Sequence, residues 1–66
     1  MITNETLKKL YSFENSATPA LFEEIFGGVM FKHLWSKFSN TRHRVLDFYS
    51  MLDKENSELL INYLNK

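Results

Sequence analysis

The side chains best suited to recognition or chemistry lie in the second half of the chain. Asp47, Asp53, Glu55 and Glu58 gather around the aromatic pair Phe48-Tyr49. Carboxylates placed this way form an acidic ridge that can orient Arg or Lys side chains of a protein partner, although each can equally cap or solvate a helix. Lys32, His33, Lys37, Arg42, His43 and Arg44 are the one basic concentration. With Ser39–Thr41 read as a turn, Arg42, His43 and Arg44 would open a second helix. Together with Lys37 they could meet phosphates in a helix-turn-helix manner. Val45 and Leu46 follow at once and are expected to turn inward, which leaves few polar side chains to read bases.

Other chemistry finds little support. His33 and His43 lie on separate segments among cations, which oppose a bound metal ion. The hydroxyls Ser36, Ser39, Ser50 and Ser57 sit at helix faces or caps, and Glu23 and Glu24 are adjacent and so diverge. No nucleophile stands beside a base. Gly27-Gly28 follows a helix rather than a strand and lacks the spacing of a phosphate-binding loop. No enzyme activity, metal or cofactor is expected.

Composition narrows the class. Eight basic residues balance eight acidic ones, so the chain lacks the positive excess on which phosphate binding draws. Direct nucleic-acid contact is therefore disfavoured. With no cysteine there is neither disulfide nor thiolate zinc site, and a 66-residue domain must hold together by packing alone. Six Phe, three Tyr and one Trp supply that packing, with a surplus expected to face a partner or a second copy. No apolar run is long enough to cross a membrane, and no leader pattern opens the sequence. A soluble, cytoplasmic, single helical domain spanning residues 1–66 is expected.

Apolar spacing and caps predict the elements. Thr3 caps a first helix, with Ile2 and Leu7 as a staple. Leu7, Leu10 and Tyr11 share its inner face. Glu14 would fall on that face too, so this helix is expected to end near Phe13. Thr18-Pro19 starts a second helix with Leu21, Phe22, Ile25 and Phe26 inward, closed by Gly27-Gly28. Met30, Phe31, Leu34, Trp35 and Phe38 form the apolar side of a third helix, Val29–Phe38. Ser39-Asn40-Thr41 supplies its stop and the next cap. The fourth helix runs through Val45, Leu46, Phe48, Tyr49, Met51 and Leu52. Asp53 either caps a separate last helix or lies within one continuing from Arg42 to Leu64, and the break is preferred. The fold class is all-α, a small bundle of four to five short helices.

The last segment resembles the Hha/YmoA family of small gene-expression modulators. The family pattern FYSxxDxxxxELxxNxL is met by Phe48, Tyr49, Ser50, Asp53, Glu58, Leu59, Asn62 and Leu64. The stretch between Ile25 and Phe48 is longer than the family's and includes the Trp35 helix. The resemblance implies an all-α protein that binds the dimerisation region of an H-NS-type nucleoid protein, with Asp53, and secondarily Glu58, meeting basic groups there. It also implies that Phe48 and Tyr49 are core.

The expected function is a small regulatory adaptor that docks on a protein partner, with a nucleoid or transcription protein as the expected class. Its partner-binding residues are Asp53, Glu58, Glu55 and Asp47. The alternatives are a minimal DNA-binding domain using Lys37, Arg42, His43 and Arg44, and a homodimeric structural module closed by surplus aromatics.

Overall fold

The computed structural model describes residues 2–66. Five helices follow one another: α1 (Asn4–Ser16), α2 (Pro19–Phe26), α3 (Met30–Asn40), α4 (Val45–Met51) and α5 (Lys54–Leu64). Among the described residues there is no strand, so the all-α bundle expected from the sequence is the fold. The radius of gyration, 10.7 Å, matches the roughly 10.8 Å of a packed globule of this length.

Three helix starts are local devices. Thr3 Oγ1 accepts the Thr6 amide at 3.1 Å, and Thr18 Oγ1 accepts the Leu21 amide at 3.1 Å, with Pro19 in the first turn. Asp53 Oδ1 accepts the Asn56 amide at 2.9 Å. Leu52 and Asp53 are both extended, so the chain breaks there and α5 is a separate helix.

Packing centres on Phe22 of α2, which is fully buried. Its ring lies 5.2–5.6 Å from those of Phe13, Phe26, Trp35, Phe38 and Phe48. Tilted and edge-to-face pairs of this kind add about 0.5–1.5 kcal/mol each to the burial of their area. Leu10, Leu34, Val45 and Leu60 complete the core. Helix α2 packs on α3 and α5, and α1 packs on α4 and α5. Trp35 is half-buried against this core rather than displayed.

Four local expectations are corrected. Helix α1 runs past Phe13 to Ser16, because Glu14 has a use for its carboxylate: Oε1 accepts the Val45 amide at 2.9 Å. The inner face of α1 is Thr6, Leu10 and Phe13, and Tyr11 is 46% exposed. Thr41 does not cap α4. Its hydroxyl donates to the Phe38 carbonyl at 2.6 Å and closes α3, whereas the α4 cap residue is Arg44, which gives no side-chain bond. Glu14 therefore caps α4 from another helix. The apolar stripes are also narrower than their sequence suggests, since Met30, Leu46 and Met51 are exposed.

The end of α3 explains the course of the following turn. The Arg42 amide bonds the Ser39 carbonyl at 3.0 Å, and the His43 amide bonds the Phe38 carbonyl at 3.2 Å. This is a Schellman closure, in which the left-handed residue is usually glycine. Here Arg42 holds that place at φ 58°, and His43 follows at φ 64°. The His43 ring meets Phe38 edge-on at 4.9 Å, the contact that normally accompanies the motif. The left-handed backbone costs an L-residue about 1–2 kcal/mol.

Two measurements check these assignments. Glu14→Ala should lower stability to denaturant by about 1–3 kcal/mol, because a charge-assisted bond at a buried helix start is lost. Glu14→Gln, which keeps an acceptor oxygen, should lose less than half of that. At the turn, Arg42→Gly should be more stable than Arg42→Ala by about 1 kcal/mol in the same assay.

Candidate functional site

Helix α5 positions the acidic residues. Leu60 points into the core and is fully buried, which fixes the rotation of the helix. Glu55, Glu58, Leu59 and Asn62 then lie on its outer side at three- and four-residue spacing, and all are exposed. Leu59 is 39% exposed, an apolar side chain set among carboxylates and amides.

Clefts flank this ridge on both sides. One, of about 350 Å³, lies between α5 and the start of α1 and is lined by Ile2, Thr6, Tyr49, Glu58, Ile61 and Asn62, among others. The other, of about 360 Å³, lies between α5 and α2 and is lined by Glu24, Ile25, Leu59, Asn62, Tyr63 and Lys66. Asn62 borders both. The floor of the first cleft is anchored: Thr6 Oγ1 donates to Asn65 Oδ1 at 3.3 Å, and Lys9 Nζ reaches the same oxygen at 3.4 Å. Thr6 is itself buried, so this bond ties the start of α1 to the end of α5.

The four acidic residues do not act as one group. Asp53 stands at the N-terminus of α5, exposed, with one carboxylate oxygen engaged in the cap. Glu55 and Glu58 follow on the ridge. Asp47 belongs elsewhere: it lines a third cleft, between α1 and α4, with Tyr11, Glu14, Arg44 and Leu46. There its Oδ2 stands 3.9 Å from Arg44 Nη1, with both side chains largely exposed, a pairing worth little by itself. Sequence spacing placed Asp47 beside the others because it counted residues through the Leu52-Asp53 break, which redirects the chain.

Lys37 in the last turn of α3 and Arg42, His43 and Arg44 in the turn are all exposed. His43 lies edge-on to both Phe38 and Trp35, at 4.9 and 5.9 Å. Asp47 beside Arg44 offsets part of this charge, and the following helix α4 has only seven residues. Leu46 is exposed rather than inward, so the outer side of α4 opens on an apolar side chain. Spacing alone gave no sign of the Glu14 cap or of the Tyr11–Leu46 cleft.

Among the described residues no group of three or more His, Asp or Glu side chains could hold a metal ion. No helix among them is long and apolar enough to cross a membrane. No protein-family model matches the chain, and comparison with curated proteins and with solved structures finds no match.

The double position of Asp53, as cap and as exposed charge, can be separated experimentally. Asp53→Ala should lower stability by about 1 kcal/mol, whereas Asp53→Asn, an equally good cap, should stay within a few tenths of the parent. Denaturant unfolding of the two variants reads the difference.

Proposed function

We propose that this chain is a small regulatory adaptor that docks on a protein partner through the outer face of α5. One observation carries the reading: with Leu60 locked in the core, α5 turns Glu55, Glu58 and Leu59 outward between two clefts. A partner that fits presents Arg or Lys to the carboxylates and an apolar side chain to Leu59. Rim carboxylates of this kind set orientation and association rate, and the apolar contact they surround supplies the binding energy. In this reading the chain performs no catalysis and uses no cofactor.

The Hha/YmoA resemblance runs from α4 through α5 and suggests the partner class, the dimerisation region of an H-NS-type nucleoid protein. Modulation of gene expression in the cytoplasm follows if that partner is the right one. Asp53, Glu55 and Glu58 are then the contact residues. Asp47 drops out of the set because it lines the α1–α4 cleft.

A second reading rests on the exposure of Lys37, Arg42, His43 and Arg44 at one turn, which suits phosphate contact. The two readings separate on salt. Phosphate contacts release counterions, so nucleic-acid affinity would fall steeply with ionic strength.

The test titrates the purified chain into the dimerisation region of an H-NS-type protein by calorimetry, and into duplex DNA at several salt concentrations. Saturable protein binding that Asp53→Asn with Glu58→Lys weakens tenfold or more, at an unchanged unfolding midpoint, supports the adaptor. Protein binding that this pair of substitutions leaves intact removes α5 as the docking face. No protein binding together with salt-sensitive DNA binding lost in Arg42→Ala with Arg44→Ala transfers the function to the basic turn.

A further inference from the structure

The α1–α4 side of the molecule carries a surface that the adaptor reading does not use. Tyr11 is 46% exposed and Leu46 40%, and the two line one cleft with Glu14, Arg44 and Asp47. Met51 is 48% exposed and lies one helical turn beyond Asp47, so α4 presents Leu46, Asp47, Ser50 and Met51 outward. An apolar strip thus runs beside one cation, Arg44, and two carboxylates, of which Glu14 is engaged by the Val45 amide and Asp47 is free to meet a partner. Arg44 and Asp47 are 76% and 61% exposed, and at 3.9 Å they barely engage each other.

We propose that this face binds a second copy of the chain about a twofold axis, Tyr11, Leu46 and Met51 of each copy covering those of the other. The argument for that occupant is charge. In a twofold interface every contact occurs twice with the roles exchanged, so a self-binding face must be complementary to itself. A face with both Arg44 and Asp47 meets this condition, because each Arg44 can turn to the other copy's Asp47. The α5 ridge, with Glu55 and Glu58 side by side, fails it: two copies would oppose like charges. The chain as a whole has no net charge to hold copies apart.

Size sets the strength. A standard interface takes about 800 Å² from each partner. The outer sides of one thirteen-residue and one seven-residue helix supply less than that, so the pairing belongs to the weak, reversible class.

Sedimentation equilibrium of the full chain from about 10 µM to about 1 mM tests the proposal, these concentrations being set to bracket a weak dimer with a dissociation constant of roughly 100 µM. The expected result is a monomer–dimer equilibrium for the parent and monomer alone for Arg44→Glu and for Asp47→Lys. An equimolar mixture of these two variants should recover a dimer, since the carboxylate introduced in one can meet the ammonium introduced in the other. Arg44 makes no capping bond, but a carboxylate in its place stands near the Glu14 cap, so Leu46→Ser gives a second variant that needs no charge change. Circular dichroism at low concentration confirms that each variant is folded. A parent that stays monomeric to the highest concentration overturns the proposal. So does a parent dimer that Arg44→Glu and Leu46→Ser leave intact, or monomeric single variants whose mixture does not pair.

Discussion

Everything else in the structure is arranged around the ring of Phe22. Five aromatic rings from all of α1 to α4 stand within 5.6 Å of it, centre to centre. Helix α5 closes the same core through Leu60. A chain of this size encloses few residues completely, and with no cysteine to form a disulfide its stability depends on how much area each of them brings. Aromatic side chains bring the most. Replacing a residue so placed by alanine typically costs about 3–5 kcal/mol, comparable with the entire stability of a small domain. The helices can be short because the rings, rather than long helix-on-helix stripes, hold them together.

That concentration has a geometric consequence at the turns. Phe38 and Val45 must both reach the core from helices separated by only four residues, Thr41 to Arg44. The chain reverses there by a Schellman closure with two consecutive left-handed residues, neither of them glycine. The edge-on contact of His43 with Phe38 returns part of the cost. Glu14 returns more, since its carboxylate supplies the α4 cap that Arg44 does not. Gly27 and Gly28 also have positive φ, Gly27 with an extended ψ of 169° that essentially only glycine adopts, and no neighbouring atom crowds either position.

The elements legible in the sequence are those whose causes are local. Thr3, Thr18 and Asp53 each bond an amide three residues on, so the residue type and its position announce the helix start. Glu14 acts across thirty-one residues, and a carboxylate on an apolar face then looks like a helix end. Arg42 carries no glycine signal for the backbone it adopts. In α4, Val45, Leu46, Phe48, Tyr49 and Met51 surround the helix almost completely, so periodicity cannot say which of them turn inward. Only packing against Phe22 and Phe38 selects Phe48 and releases Leu46 and Met51 to the surface. For the same reason the surplus apolar surface is mainly aliphatic. Among the ten aromatic residues, all of them described, only Tyr11 is exposed. The acidic ridge was legible as residue types on α5, but its separation from Asp47 depends on the direction of two extended residues.

A core built of rings leaves Val29, Met30, Leu46, Met51 and Leu59 outside it, and the charges beside them decide what each can meet. Leu59 sits among Glu55 and Glu58, and in the proposed adaptor reading it meets a surface of opposite sign on a different protein. Leu46 sits between Arg44 and Asp47 and suits its own image. The two faces use different residues, so occupation of one leaves the other open. A dimer formed through α1 and α4 would carry two α5 ridges at a fixed separation. Against a partner that is itself dimeric, two weak contacts made together bind far more tightly than either alone, because the second is intramolecular. Weak self-association and modest docking area are then compatible with a tight assembly. Stability, self-pairing and docking would rest on three separate sets of side chains: the rings around Phe22, the strip around Leu46, and the ridge around Leu59.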